Sequence, residues 1–290
     1  MLTSSPLLNI VLLSLMAGLG TSLGGLIAIT RVPSRRSYGF LMGITAGVMI
    51  SLSFLGLVNQ AWELAGYQTA TIGFAAGALS MFAIDFFAPH IRFGVREVRS
   101  DSSVAELPMQ NCPRNKRSGY GFQHWGRQGM QRFRQRNHIT NHKMLRTGML
   151  LAIGITIHNI PEGIAVGAGY SHSPDYGVFI AMAILLHNIP EGIATALPLR
   201  TSGMYKWDAF WVATLSGLAE PIGALLAGLF LTQFNNFVPA ALAFAGGVMI
   251  FITLDELIPT AREFGHHHTT ALGIIIGSIF VFLLSGIFGI

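Results

Sequence analysis

The chain has 290 residues, of which 51% are hydrophobic and only 11% charged, with a net charge of +5 and a positive mean hydropathy. Soluble domains carry about 25% charged residues, so this composition excludes an ordinary soluble enzyme and indicates a membrane protein. The single cysteine, Cys112, excludes an intramolecular disulfide framework and any cysteine-rich zinc site.

Eight apolar stretches follow one another, at about 7–30, 38–58, 70–89, 147–169, 177–199, 207–231, 237–260 and 270–289. Each is close to the ~20 residues that cross a hydrocarbon core as a helix. Lipid offers no partner to backbone N–H and C=O groups, so spans of this kind form helices and the fold class is all-α. The first span lacks a basic flank and a small-residue cleavage pattern, and so reads as a retained helix. All 18 Lys and Arg lie in four loops: spans 1–2 (Arg31, Arg35, Arg36), 3–4, 5–6 (Arg200, Lys206) and 7–8 (Arg262). The positive-inside rule places those loops in the cytoplasm and both termini outside. The positive charge is therefore a topology signal, with the lipid bilayer as partner and no nucleic acid implied.

Residues 1–89 carry spans 1–3, and 90–146 form a basic cytoplasmic loop without helical periodicity, expected to be mobile. Residues 147–290 carry spans 4–8. Two matches flank the loop at an offset of about 200 residues. "GLGTSLGGL" from Gly18 resembles "GLAEPIGAL" from Gly217, "AGVMISLSF" from Ala46 resembles "GGVMIFITL" from Gly246, and Gly73 falls opposite Gly273. Spans 1–3 and 6–8 are then expected to be inverted repeats around spans 4–5, an arrangement that places substrate sites near the midplane.

The sextet HNIPEG occurs twice, at His158–Gly163 and His187–Gly192. The midpoint of the two copies falls in "YSHSPDYG", so antiparallel helices folded there bring both to one level. About 12 helical residues below the turn correspond to a depth of ~18 Å, and Glu220 near the middle of span 6 can join them. His and Glu at i, i+4 share a helix face, and Asn at i+1 lies three residues from the same Glu. Pro161 and Pro190 remove one backbone donor each and should kink their helices. Gly163 and Gly192 leave room for close helix approach or for a bound ion.

Ionised Glu162, Glu191 and Glu220 at mid-membrane would each cost roughly 2.5–3.5 kcal/mol, by analogy with Asp on insertion scales. Every Lys and Arg lies in a cytoplasmic loop, so protons or metal cations must supply the counter-charge. Imidazole beside carboxylate favours a transition metal over Na⁺, Mg²⁺ or Ca²⁺. The candidates His158, Asn159, Glu162, His187, Asn188, Glu191 and Glu220 exceed the needs of one tetrahedral zinc, and two adjacent ions sharing carboxylates would use them. Interhelical hydrogen-bond glue and a metal-free proton relay are the alternatives.

The paired HNIPEG on spans four and five, with "GLAEPIG" on span six, resembles the ZIP (Zrt/Irt-like) divalent metal transporters, particularly their bacterial GufA/ZupT-like branch. The likeness covers all eight spans. It implies a plasma (bacterial inner) membrane protein taking divalent metal into the cytoplasm, Zn²⁺ most commonly, with Fe²⁺, Mn²⁺ or Cd²⁺ as further cargo, and a homodimer as one state open to the family. It also implies a binuclear centre. His158, Glu162 and Glu191, with His187 beside them, form the primary site. Asn159, Asn188 and Glu220 form the second by sharing the glutamates.

The resemblance lets Met49 in span 2 act as a soft ligand, although core packing is the commoner use of methionine. Asp85, Asp255 and Glu256 sit toward the cytoplasmic ends of spans 3 and 7, as an exit relay or as interfacial hydrogen-bonding groups. His266, His267 and His268 on the 7–8 loop would collect departing metal. His124, His138 and His142 are weaker candidates for sensing cytosolic metal, and Glu63, His172 and Asp175 for attracting cations outside. An intramembrane zinc-dependent hydrolase is the alternative from another class. The chain lacks an HExxH pair and a G-x-S-x-G elbow, so no enzyme is expected. A channel or metal receptor is not separable from a carrier by sequence.

Overall fold

In a computed structural model of the chain, residues 5–31, 33–87 and 142–290 are described, and every regular element among them is helical. The basic loop, with His124, His138 and Cys112, lies outside the described residues except where His142–Arg146 open a helix. The long helices are α1 (Pro6–Thr30), α2 (Arg35–Ser51), α3 (Asn59–Phe87), α4 (His142–His172) and α5 (Pro174–Thr201). They continue with α6 (Lys206–Gly217), α7 (Ala219–Leu231), α8 (Val238–Ile252), the short α9 (Ile258–Phe264) and α10 (His267–Phe288). π-helical stretches Leu52–Val58 and Thr253–Leu257 connect α2 to α3 and α8 to α9.

The turn expected in "YSHSPDYG" is present and has a local cause. Ser173 leaves the helical region, and its hydroxyl accepts the Tyr176 N–H at 3.2 Å. Pro174 follows as the first helical residue, where its missing N–H costs nothing. Helices α4 and α5 therefore fold back on one another, and both continue through Pro161 and Pro190 as unbroken helices.

Elsewhere the helices depart from the simple spans. No separate loop divides the second and third, because helix continues from α2 through α3 and breaks only at Gly66 (φ 78°, ψ 168°), a conformation open to glycine for want of a Cβ. The sixth is split at Leu218 into α6 and α7. Pro221 has no N–H for the Gly217 carbonyl, so it disrupts an unbroken helix but fits the first turn of a new one. Seven helical segments among the described residues are long and apolar enough to cross a membrane, and one of them, Arg35–Phe86, has 52 residues. At 1.5 Å per residue that is roughly 78 Å, more than twice a bilayer core.

The helices pack as two groups. In one, α1 lies along α5, α4 along α5 and α7, and α6 against α1 and α5. In the other, α3 lies along α8, and α2 along α10 and α9. The groups meet where α4 touches α8 and α2 touches α5. The common core includes Met49, Leu52, Phe179, Ile180 and Ile184, all essentially without solvent access, whereas Phe82, Ile276 and Leu283 stand exposed on α3 and α10. An apolar exterior of this extent marks contact with lipid, and the chain is an all-α membrane protein.

Candidate metal centre

Helices α4 and α5 bring the two sextets face to face. Within α4, His158 Nε2 lies 2.8 Å from Glu162 Oε1, as the i, i+4 spacing requires. Across to α5, His187 Nε2 lies 2.8 Å from the same Glu162 oxygen, and His158 Nε2 lies 3.3 Å from Glu191 Oε1. Glu162 thus sits between both imidazoles. His158 Nε2 is close to both carboxylates yet lacks hydrogen-bond alignment with either. One cation can reach all three of His158, Glu162 and Glu191, whose ligand atoms lie within 4.8 Å of one another. His187 Nδ1 faces the Ala183 carbonyl at 3.2 Å. Donating there keeps the Nε2 lone pair directed into the centre, the usual arrangement for a metal-binding histidine.

The two asparagines are oriented by backbone. Asn159 Nδ2 donates to the Ser216 carbonyl at 2.9 Å, where α6 ends. Asn188 Nδ2 donates to the Ala17 carbonyl of α1 at 3.1 Å, and also to Glu220 Oε1. Glu220 belongs to the first turn of α7, so the break at Leu218 is what brings its carboxyl beside Asn188. Each amide nitrogen is engaged, and each amide oxygen is left over.

The decisive feature is a set of five buried oxygens with no hydrogen-bond donor among the described residues: Asn159 Oδ1, Glu162 Oε2, Asn188 Oδ1, Glu191 Oε2 and Glu220 Oε2. A buried polar atom without a partner costs roughly 1–3 kcal/mol, so five represent a large penalty that a cation would remove. Two imidazole nitrogens among these oxygens suit a transition metal. The sextet glycines serve close helix approach. A methyl on Gly163 would collide with the Glu220 carbonyl, and one on Gly192 with the Thr21 carbonyl.

The other predicted residues are placed as follows. Met49 is fully buried, its sulfur 3.6 Å from the Thr253 hydroxyl, which donates to the Met249 carbonyl at 2.7 Å. Glu256 is half-buried in the second π-helical stretch, within electrostatic reach of His158, Glu191, Asp255 and Asp85. Asp255 is exposed and Asp85 half-buried, and both act electrostatically on Glu256. His266, His267 and His268 are exposed where α10 begins. Sequence reading missed the carbonyls of Ala17, Ala183 and Ser216, as well as Thr45, whose hydroxyl donates to the His187 carbonyl at 3.4 Å. It also missed Tyr38, buried within electrostatic reach of Glu191. Thr45, a polar residue one turn before Met49 in an apolar span, was the available signal, whereas a backbone carbonyl leaves none.

The family model for ZIP zinc transporters matches residues 7–285. The chain belongs to the ZIP zinc transporter family. Among its relatives, the zinc transporter ZTP29 of Arabidopsis thaliana is 37% identical over 268 residues, covering 91% of this chain and 89% of that protein. The zinc transporter ZupT of Corynebacterium glutamicum is 38% identical over 278 residues, covering 91% and 93%. ZupT of Akkermansia muciniphila is 34% identical over 289 residues, covering 96% and 97%. ZIP membership makes the chain a transporter of divalent metal and not an enzyme, and the intramembrane hydrolase has no support.

Proposed function

We propose that this ZIP protein carries zinc into the cytoplasm across the plasma membrane, in a bacterium the inner membrane, through a two-ion centre on α4, α5 and α7. Fe²⁺, Mn²⁺ and Cd²⁺ are further cargo of the same charge. His158, His187, Glu162 and Glu191 hold the first ion, and Asn159, Asn188 and Glu220 complete a second by sharing the glutamates. The observation that carries this reading is the five donorless oxygens beside two imidazoles in the core. Glu256, Asp255 and Asp85 then lead the ion from the centre to the cytoplasm, supported by the electrostatic reach of Glu256 to His158 and Glu191. His266, His267 and His268 receive it at the surface.

We infer eight crossings, the 52-residue segment supplying two on either side of Gly66, with spans 1–3 and 6–8 as inverted repeats. Several pairs of features favour this. The π-helical stretches begin at Leu52 and Thr253. Gly18 and Gly217 pack against each other, and the two asparagines meet the carbonyls of Ala17 and Ser216. The pairing of α2 with α10 mirrors that of α8 with α3. With the basic loops inside, both termini face out.

The test is uptake of radioactive zinc into proteoliposomes by the wild type and by Glu162→Ala and Glu191→Ala. Saturable uptake abolished by both changes supports the centre, and uptake indifferent to either discards it. Unlabelled iron, manganese and cadmium as competitors rank the cargo.

A further inference from the structure

At the end of the bundle that carries the α4–α5 turn, two side-chain contacts join the helix groups. The Tyr176 hydroxyl, on the first turn of α5, donates to the Gly56 carbonyl in the π-helical stretch between α2 and α3. One turn away, His172 Nε2 lies 3.2 Å from Gln60 Nε2 of α3. The Tyr176 ring is 2% exposed and sits between His172, perpendicular at 5.3 Å, and Phe179 at 5.9 Å. Phe179 in turn meets Phe288 of α10 at 6.2 Å. A Cβ at Gly56 would come within 3.3 Å of the Phe179 ring and 3.0 Å of Leu52, so this plug rests on bare backbone. Directly below lie Ile180 and Ile184, without solvent access, and then His187. The opposite end differs, since Glu256 is half-buried and Asp255 exposed there.

We propose that Tyr176 is a positioning residue that holds the outer side of the transporter closed, its hydroxyl on the Gly56 carbonyl tying α5 to the α2–α3 group, and that an ion enters when this tie is released. The inference rests on the transport reading above. A contact biases a two-state equilibrium only if it is made in one state and not in the other. This one qualifies, because a hydroxyl and a carbonyl buried under aromatic rings must bond each other, whereas in a water-filled vestibule each finds water instead. The bond therefore favours the closed arrangement, and its modest net strength leaves opening within thermal reach. Pre-formed hydrogen bonds lower in the same interface, such as Thr45 to the His187 carbonyl, remain available to hold the groups together near the centre.

The test uses Tyr176→Phe, which keeps the ring and removes the hydroxyl, in a Cys112→Ser background with Ile180→Cys as reporter below the plug. Intact cells are treated with a membrane-impermeant thiol reagent, and inverted vesicles receive the same reagent from the cytoplasmic side. The expected result is labelling from outside about two- to tenfold faster in Tyr176→Phe, the span of one net hydrogen bond, with slower labelling from inside and a lower KM for external zinc. A merely structural role lowers thermal stability but does not change the two sides in opposite directions. Equal or slower labelling from outside overturns the proposal, as does a reporter that stays unlabelled in both backgrounds. Ile184→Cys is the second reporter should Ile180→Cys fold poorly. Absence of zinc uptake in the parent protein refutes the transport reading instead, and the labelling comparison still decides the tie.

Discussion

Gly163→Ala adds one methyl group at the closest approach of α4 and α7, and its effect follows from the surrounding distances. The new Cβ would stand 2.8 Å from both the Glu220 carbonyl carbon and the Ala224 amide nitrogen, with the carbonyl oxygen nearer still, whereas ordinary contact begins at 3.4 Å. Backbone cannot rotate aside as a side chain can. Helix α7 must therefore retreat by more than the ~0.6 Å that the carbon and nitrogen alone require, because the nearer carbonyl oxygen sets the limit, and Glu220 moves with it. Overpacking of this kind costs about 1–3 kcal/mol, offset by about 0.5–1 kcal/mol from replacing a helical glycine. The larger consequence falls on the centre, because the Asn188–Glu220 contact and the donorless oxygens of both residues, proposed above to complete a second ion site, shift together. Loss of such supporting partners costs about 10- to 100-fold in metal affinity. The control is Gly286→Ala on exposed α10, where a Cβ meets nothing within 4 Å. Thermal unfolding in detergent and zinc uptake in proteoliposomes are the assays. A Gly163→Ala protein that matches Gly286→Ala in both melting temperature and KM refutes the argument that tight α4–α7 packing shapes the site.

Three further outcomes are expected. Zinc at 100 times its Kd stabilises the folded protein by about 2.7 kcal/mol, chelator reverses the effect, and Glu162→Gln, which removes the negative charge facing both imidazoles and replaces one of the two ligand oxygens with an amide NH2, abolishes it; an undiminished zinc-dependent melting shift in Glu162→Gln speaks against that role. Asn188→Asp removes the donor to Ala17 and Glu220 and sets two carboxylates together. Thermal scans with and without zinc should therefore show a protein less stable by about 1–3 kcal/mol when metal-free and more strongly stabilised by metal. Uptake should fall as external pH drops from about 7.5 to 5.5, because both imidazoles and the carboxylates must be deprotonated to take the ion. A flat profile measured at constant free zinc counts against direct coordination by His158 and His187.

Much of the site was legible before any coordinates. HNIPEG written twice states which side chains share a helix face, and "YSHSPDYG" states where the chain turns, because Ser173 caps a helix and Pro174 starts one. Together they place His158, Glu162, His187 and Glu191 at one level, as found. Spans 2 and 3 were legible as apolar stretches but not as one segment interrupted at Gly66. Hydropathy records which residues tolerate lipid and is silent on backbone dihedrals. The break at Leu218 had a trace in Pro221, whereas the π-helical stretches had none, because a one-residue change in hydrogen-bond register leaves the apolar pattern almost unchanged.

Composition and spacing alone established a helical membrane protein with paired His-Asn-Glu faces and no Lys or Arg within the apolar spans to neutralise the glutamates, since these follow from residue type and helical periodicity. Tertiary structure decided which group each polar atom meets. The Asn159 and Asn188 amides turn their oxygens inward because the carbonyls of Ser216 and Ala17 hold their nitrogens, and Tyr176 reaches the bare backbone of Gly56. Every residue carries the same carbonyl, so which one is presented to a given side chain depends on how the helices pack and cannot be read from the order of residues.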